Sequence, residues 1–166
     1  MLFISPPFGT YISLPKCKSI KGSYTLEERK GLISQIFKTL YYDNSLNGWV
    51  NKIGLRNKGI DHGLKYYNHK SDILSIAILK ESDIDTFIKK IPNDTNLEIN
   101  VSCPNLNKEL VNNNLQKFIN KDRKWCILKC GPLTNEQQLD NYYKIGFRQF
   151  HFSNTFIIMV LIWLLL

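Results

Sequence analysis

The chain has 166 residues, of which 43% are hydrophobic and 22% are charged, a composition typical of a folded globular protein. A complete (β/α)₈ barrel typically needs about 250 residues, so this length excludes a whole barrel. The formal net charge of +8 comes from lysines scattered along the chain rather than from a basic run, which argues against a nucleic-acid partner.

The apolar residues recur at intervals that predict strands alternating with helices. In chain order, the predicted elements are a turn within residues 1–11, a strand at 19–26, a helical or irregular segment at 32–42, a loop at 44–59, a helix at 62–69, strands at 72–79, 97–102, 125–130 and 147–152, and helices at 83–91, 107–119 and 134–143. Ser82 is a predicted N-cap, and Thr134 with Gln137 matches a capping box. The repeated strand–helix order indicates right-handed βαβ units and a parallel sheet.

The four cysteines have no zinc-site spacing, and no cluster of His, Cys and Asp predicts a metal site. The first seven residues are too short and too rich in proline for a secretory signal peptide. We therefore expect reduced thiols in a cytoplasmic protein. The three histidines, His62, His69 and His151, are predicted to be structural.

The segment 97–105, Leu-Glu-Ile-Asn-Val-Ser-Cys-Pro-Asn, organises the chain. Its first five residues alternate like a strand, and Pro104 then ends the pairing. Asn100, Cys103 and Asn105 are thereby presented at the carboxyl end of a strand, where α/β proteins keep their chemistry. The amides suit a flat polar heterocycle. Cys103 could be a base or nucleophile if its pKa is lowered, or an inert buried thiol if it is not.

Together with two other segments, 97–105 resembles the dihydroorotate dehydrogenase family, especially its soluble class with a cysteine base. Residues 51–59, Asn-Lys-Ile-Gly-Leu-Arg-Asn-Lys-Gly, are similar to that family's Asn-x-Met-Gly-Leu-x-Asn-x-Gly segment. Residues 22–31, Gly-Ser-Tyr-Thr-Leu-Glu-Glu-Arg-Lys-Gly, are similar to its Thr-Leu-x-x-Arg-x-Gly segment. The resemblance implies an α/β fold: a partial (β/α)₈ TIM barrel of the FMN-linked oxidoreductase type that lacks the last strands. Residues 1–155 would form this incomplete barrel, and 156–166 an apolar tail that is not a domain.

The resemblance also implies the chemistry of the site. Dihydroorotate would be oxidised to orotate in pyrimidine (UMP) biosynthesis, with hydride passing to FMN and Cys103 acting as the base. The substrate-binding residues it implies are Asn51, Gly54, Leu55, Asn100, Asn105, Asn154 and Thr155. The cofactor-binding residues it implies are Gly22, Ser23, Asn100 and Lys129.

Two features depart from the family's pattern. Gly22 stands where the cysteine-using class carries a lysine, with Lys21 beside it, and the last two strands with their phosphate-binding loops have no counterpart. The uncharged tail 156–166 would extend about 16 Å as a helix, against a bilayer core of about 30 Å, so no membrane span is predicted. We expect this tail to be the product of a truncation or a frame shift.

Two other functions are open at this stage. An open barrel fragment exposes two sheet edges and apolar interior surface, so the chain could be an inactive remnant or interaction module without flavin. Such a surface would favour a homo-oligomer or a complementing chain. Alternatively, dihydrouridine synthases, which act on tRNA, share the barrel, FMN and a strand-end Asn-x-x-Cys-Pro; the positive charge fits them, but the segment 51–59 fits them less well.

Overall fold

A computed structural model describes residues 1–101 and 114–152, which form an α/β fold around a curled, half-barrel sheet of six parallel strands. The strands are β1 (Leu2–Ile4), β2 (Cys17–Tyr24), β3 (Tyr41–Asp43), β4 (Gly48–Val50), β5 (Asp72–Ala77), β6 (Leu97–Asn100), β7 (Cys126–Cys130) and β8 (Gln149–Phe152). The helices are α1 (Phe8–Tyr11), α2 (Leu32–Thr39), α3 (Gly59–Lys65), α4 (Asp83–Lys90) and α5 (Glu136–Lys144), with a 3₁₀ turn at Leu115–Phe118.

The order of the sheet is β1-β2-β5-β6-β7-β8, and every neighbouring pair is parallel. Strand and helix alternate through its second half, as the spacing of apolar residues predicts. The parallel βαβ architecture is therefore confirmed, and it is consistent with part of a TIM-like barrel. The predicted boundary between a barrel at 1–155 and a tail at 156–166 falls among residues 153–166, outside the described part of the chain.

The two faces of the sheet carry different cores. The face covered by helices is built from alternate strand residues such as Leu74, Ile76, Leu97 and Ile99, which pack against α3, α4, α5 and the 3₁₀ turn. Burial of these side chains drives the helices onto this face. On the opposite, concave face, Ile20, Ile73 and Ile127 pack together against Trp125. The concave face is the one on which a barrel-type site would lie.

The predicted helix starts and ends agree with the structure only in part. The capping box of α5 is formed by Asn135 and Gln138, one residue later than the predicted Thr134 and Gln137, because Asn135 is the extended residue whose Oδ1 accepts the Gln138 N–H at 2.9 Å. Ser82 precedes α4, but its side chain makes no capping hydrogen bond. Of the predicted helix at 107–119, the described part is only the 3₁₀ turn at Leu115–Phe118, and residues 102–113 lie outside the described chain.

The β3–β4 hairpin is also absent from the sequence-based prediction, which placed a helical or irregular segment and a loop there. Its turn is fixed by Asp43, whose Oδ1 accepts hydrogen bonds from the Ser45 and Leu46 N–H groups at 2.9 and 3.2 Å. The aromatic rings of Tyr42 and Trp49 then pack edge to face across the two strands. In the described part of the chain, none of the helices has the length and apolar character needed to traverse a bilayer.

Candidate functional site at the carboxyl end of the sheet

Four side chains from neighbouring strands share one register position at the carboxyl end of the sheet. Ala77 of β5 is opposite Asn100 of β6, which is opposite Lys129 of β7, which is opposite His151 of β8. We call these residues the carboxyl-end row. Because side chains at one register position of a parallel sheet point to the same face, an amide, an amine and an imidazole lie side by side on the concave face.

Lys129 supplies the positive charge of this row. Its side chain is half-buried, and it forms no ion pair with any residue in 1–101 or 114–152. Carrying an unpaired ammonium group next to apolar strands is costly unless water or an anion solvates it. The sequence-based expectation that Lys129 serves an anionic ligand stays a prediction.

Gly22 and Ser23 join the row through a break in the pairing of β2 with β5. The register shifts between Lys21 and Tyr24, so the two residues between them leave the regular ladder. Gly22 is clamped there by Thr10, whose Oγ1 accepts the Gly22 N–H at 3.1 Å and donates to the Gly22 carbonyl at 3.2 Å. The break directs Ser23 Oγ to Asn100, whose Nδ2 donates to it at 3.0 Å.

A chain of hydrogen bonds continues from Ser23 into the buried layer beneath the row. Ser23 Oγ lies 2.8 Å from Ser75 Oγ, and Ser75 Oγ donates to Glu98 Oε1 at 2.7 Å. The other oxygen of Glu98 is 2.6 Å from His151 Nδ1. Glu98 is fully buried, whereas about a quarter of the His151 side chain is exposed. We call these five residues, Asn100, Ser23, Ser75, Glu98 and His151, the polar chain.

Glu98, Ser75 and His151 were missed as site residues by sequence reasoning, which treated His151 as structural. One signal was available for Glu98: it lies two residues before Asn100, and residues i and i+2 of a strand share a face. Ser75 sits inside an apolar run and carried no comparable signal.

The predicted substrate residues Asn51, Gly54 and Leu55 lie on the loop between β4 and α3. Asn51 is exposed, and its Oδ1 accepts the Ile53 N–H at 3.3 Å; Gly54 is exposed too, with its carbonyl 3.4 Å from an Arg29 guanidinium nitrogen. Leu55 is partly buried against the helix-covered core. Within the described residues, no hydrogen bond joins these three to the carboxyl-end row.

This loop is nevertheless fastened to the end of β2 by a residue that was not among the predicted site residues. Asn57 Oδ1 accepts the backbone N–H groups of Thr25 and Gly59 at 3.1 and 2.8 Å, and its Nδ2 donates to the Leu55 carbonyl at 2.7 Å. Arg29 and Asn57 also exchange backbone hydrogen bonds. The loop is therefore anchored two residues beyond Ser23.

Four further predicted site residues lie outside the described part of the chain: Cys103, Asn105, Asn154 and Thr155. In the sequence, Cys103 and Asn105 come after β6, and Asn154 and Thr155 come after β8. Their assignment remains a prediction. Among the thiols that are described, burial raises the pKa of Cys126 and raises that of Cys130 to about 11, so neither is a ready nucleophile at neutral pH.

A cavity of about 320 Å³ opens on the concave face between β1 and β8. It is lined largely by apolar and aromatic side chains, among them Phe3, Trp125 and Phe152, with His151 as the lining residue that also belongs to the polar chain. The rings of Phe3 and Trp125 pack edge to face, with their centroids 5.3 Å apart. Within the described residues no cluster of His, Cys, Asp and Glu could hold a metal ion.

The chain is similar to curated proteins over only part of its length. It is 35% identical over 69 residues to a protein of Streptococcus agalactiae (strain A909) named "Putative dihydroorotate dehydrogenase A (fumarate)". A protein of Pediococcus pentosaceus with the same name is 32% identical over 72 residues. The matches cover 36% and 37% of this chain but only 22% and 24% of those proteins. No family model and no solved structure matches the chain.

The chain therefore spans less than a quarter of the curated relatives it matches, so their names support the resemblance without fixing an activity. What the geometry itself shows is a set of neutral donors and acceptors beside one amine, at the carboxyl end of parallel strands. Such a set can hold a planar ligand with polar edges and neutralise negative charge on it.

Proposed function

We propose that this chain forms the ring-binding part of an FMN-dependent enzyme that oxidises dihydroorotate to orotate in cytoplasmic pyrimidine biosynthesis. The observation that carries the proposal is the carboxyl-end row, in which Asn100 and Lys129 are adjacent on neighbouring strands. The names of the partial relatives point in the same direction.

The described residues fit the ring of a flavin by their chemistry. Asn100 and Ser23 offer hydrogen-bonding groups, and Lys129 offers a cation for negative charge on the ring. FMN, when bound, would supply the acceptor for the hydride that leaves the substrate.

The substrate would be held by the loop that carries Asn51, Gly54 and Leu55, together with Asn105, Asn154 and Thr155. Cys103 Sγ would take a proton from one carbon of dihydroorotate while hydride leaves the adjacent carbon. The base is the Cys103 thiolate, which becomes the thiol on taking the proton. Because a base must lie within hydrogen-bond reach of the proton that it takes, the position of Cys103 next to the ring matters as much as its basicity. We expect Cys103→Ala to abolish turnover in any form of the protein that is active. Cys17→Ala, on β2, is the matched control, and normal turnover of Cys103→Ala would refute the assignment of the base.

The phosphate of FMN needs backbone N–H groups at a glycine-rich loop or helix start. The sequence offers no such loop after the strands that form the row. We propose that these N–H groups come from outside the residues that form the carboxyl-end row.

The first experiment is a titration of the purified chain with FMN, followed by absorbance and flavin fluorescence, with the elution volume measured in parallel. Saturable binding is expected, and bound flavin should be bleached by dihydroorotate. Lys129→Ala should weaken FMN binding about tenfold or more, since a hydrogen bond to a charged group contributes about 1.5–3 kcal/mol. Lys144→Ala, which removes an exposed lysine of α5, is the matched control for net charge. Equal losses in the two variants would refute a local role for Lys129.

One observation favours a second candidate function, that of a binding module without flavin. The 320 Å³ cavity between β1 and β8 is apolar and open, which suits insertion of another protein segment. A folded chain that binds no FMN but changes its elution volume with concentration would support this candidate over the enzyme.

A further inference from the structure

The donor and acceptor roles along the polar chain are fixed by its buried end. Glu98 Oε1 accepts the Ser75 hydroxyl hydrogen at 2.7 Å, and Glu98 Oε2 lies 2.6 Å from His151 Nδ1. An ionised carboxylate has no proton to donate. Ser75 must therefore spend its only hydroxyl hydrogen on Glu98.

The donor and acceptor roles of Ser23 and Asn100 follow from that of Ser75. Since the Ser75 hydrogen is committed to Glu98, the contact with Ser23 at 2.8 Å requires Ser23 to donate its hydroxyl hydrogen. Ser23 can then only accept at 3.0 Å from the Asn100 side chain, and a side-chain amide donates through its nitrogen. The amide nitrogen of Asn100 must face Ser23, and its carbonyl oxygen must face away.

The burial of Glu98 and Ser75 keeps the donor and acceptor roles along the polar chain in this order. An isolated carboxylate in an apolar setting is strongly unfavourable, so Glu98 holds its two donors tightly. Ser75 is fully buried as well, so water cannot replace it as the donor. Hydrogen bonds in series also polarise one another, and this strengthens each hydrogen bond of the polar chain in its present direction of donation.

We propose that Glu98 is a positioning residue for the carboxyl-end row: by fixing the sense of the polar chain, it sets the orientation of the Asn100 amide. The side-chain nitrogen of Asn100 is thereby held toward Ser23, and its side-chain oxygen is directed away from Ser23. The orientation of Asn100 is independent of the proposed function, whereas the choice of FMN as the probe ring rests on it.

The direct test follows the Asn100 side-chain amide by ¹H–¹⁵N spectroscopy of the folded protein. The resonance pair is identified by its loss in Asn100→Asp. Ser75→Ala, which interrupts the chain, and Glu98→Gln, which removes the charge and can reverse the chain, should each shift this pair and speed its hydrogen exchange. Ser75→Thr, which keeps the hydroxyl, should restore the wild-type pattern.

The matched control is Ser71→Ala. Ser71 Oγ also donates to a buried carboxylate, that of Asp72 at 2.8 Å, but it has no link to Asn100. An Asn100 amide that is unchanged in both Ser75→Ala and Glu98→Gln, or that shifts as much in Ser71→Ala, would overturn the proposal. If Ser75→Ala does not fold, the Asn100 amide resonances of Glu98→Gln alone decide whether the proposal stands.

Ligand binding gives a second readout. We expect Ser75→Ala to weaken FMN binding about fivefold while Ser71→Ala leaves it unchanged, because one net hydrogen bond is at stake. If the wild-type protein binds no FMN, the proposed function fails, and the Asn100 resonances still decide whether Glu98 sets the amide. If FMN binds equally well to both variants, Glu98 does not position the ligand-binding row.

Discussion

The break between β2 and β5 should depend on the absence of a side chain at Gly22. Gly22 has φ +124°, and a Cβ there would lie 2.4 Å from the Ser75 carbonyl oxygen and 2.8 Å from the Tyr24 nitrogen. Both contacts involve backbone, so neither can be relieved by a rotamer change. We expect Gly22→Ala to cost about 1–3 kcal/mol through backbone strain and a further 1–3 kcal/mol or so through displacement of β5.

Gly31 provides the matched control for this substitution. It also has a positive φ, +92°, but a Cβ there would meet nothing within 4 Å. Gly31→Ala therefore carries the backbone strain alone, and the difference between the two variants isolates the close approach to Ser75.

The assay is urea unfolding followed by far-ultraviolet circular dichroism. With a slope of about 2 kcal/mol per molar urea for a domain of this size, the midpoint of Gly22→Ala should lie roughly 0.5–1.5 M below that of Gly31→Ala. Equal midpoints would refute the reasoning, because they would mean that β2 and β5 do not approach as closely as the structure shows.

Two further predictions concern buried groups away from the row. Burial raises the pKa of Cys130 from 9.0 to about 11, so the contribution of this thiol to the free energy of unfolding is complete below pH 9 and is lost as the pH rises through 11. In Cys130→Ala, the free energy of unfolding should therefore fall less steeply over this pH range. A fall as steep as that of the wild-type protein would contradict the assignment. The Arg123 guanidinium donates hydrogen bonds to the backbone carbonyls of Thr95 and Phe118. We expect Arg123→Met to lower the free energy of unfolding by about 3 kcal/mol, measured by the same urea assay. The exposed Arg148 is its control and should cost less than about 1 kcal/mol, so similar losses would argue against the buried clamp.

The sequence could predict those parts of the fold that depend on local spacing. The alternation of apolar and polar residues at 97–101 and the apolar run at 72–79 can be recognised from neighbouring residues alone, and each segment contains a strand. The β3–β4 hairpin escaped because Tyr41–Asp43 follows α2 directly, so one apolar stretch serves two elements. The start of α5 was wrong by one residue because Thr134 and Asn135 can both cap a helix, and only the backbone conformation decides between them.

The candidate site could be predicted only in part, for a different reason. Asn100 and Lys129 were predicted from the resemblance to the family, and the register places them side by side. The partners of Glu98 lie 23 and 53 residues away along the chain, and a hydrogen bond between residues so far apart leaves no local pattern. Sequence spacing therefore gave the residues at the strand ends but not the buried chain that connects them.

The polar chain also accounts for the lack of an ion-pair partner for Lys129 among the described residues. Glu98 lies on β6, next to β7, and an unsatisfied carboxylate there would attract the nearest ammonium group. Ser75 and His151 already occupy its two oxygens, so the buried charge is satisfied from within the protein. The concave face is thus apolar around Ile20, Ile73 and Ile127, internally paired at Glu98, and cationic at Lys129. On the described concave face, negative charge would therefore be attracted to the carboxyl end, where Lys129 forms no ion pair with a described residue.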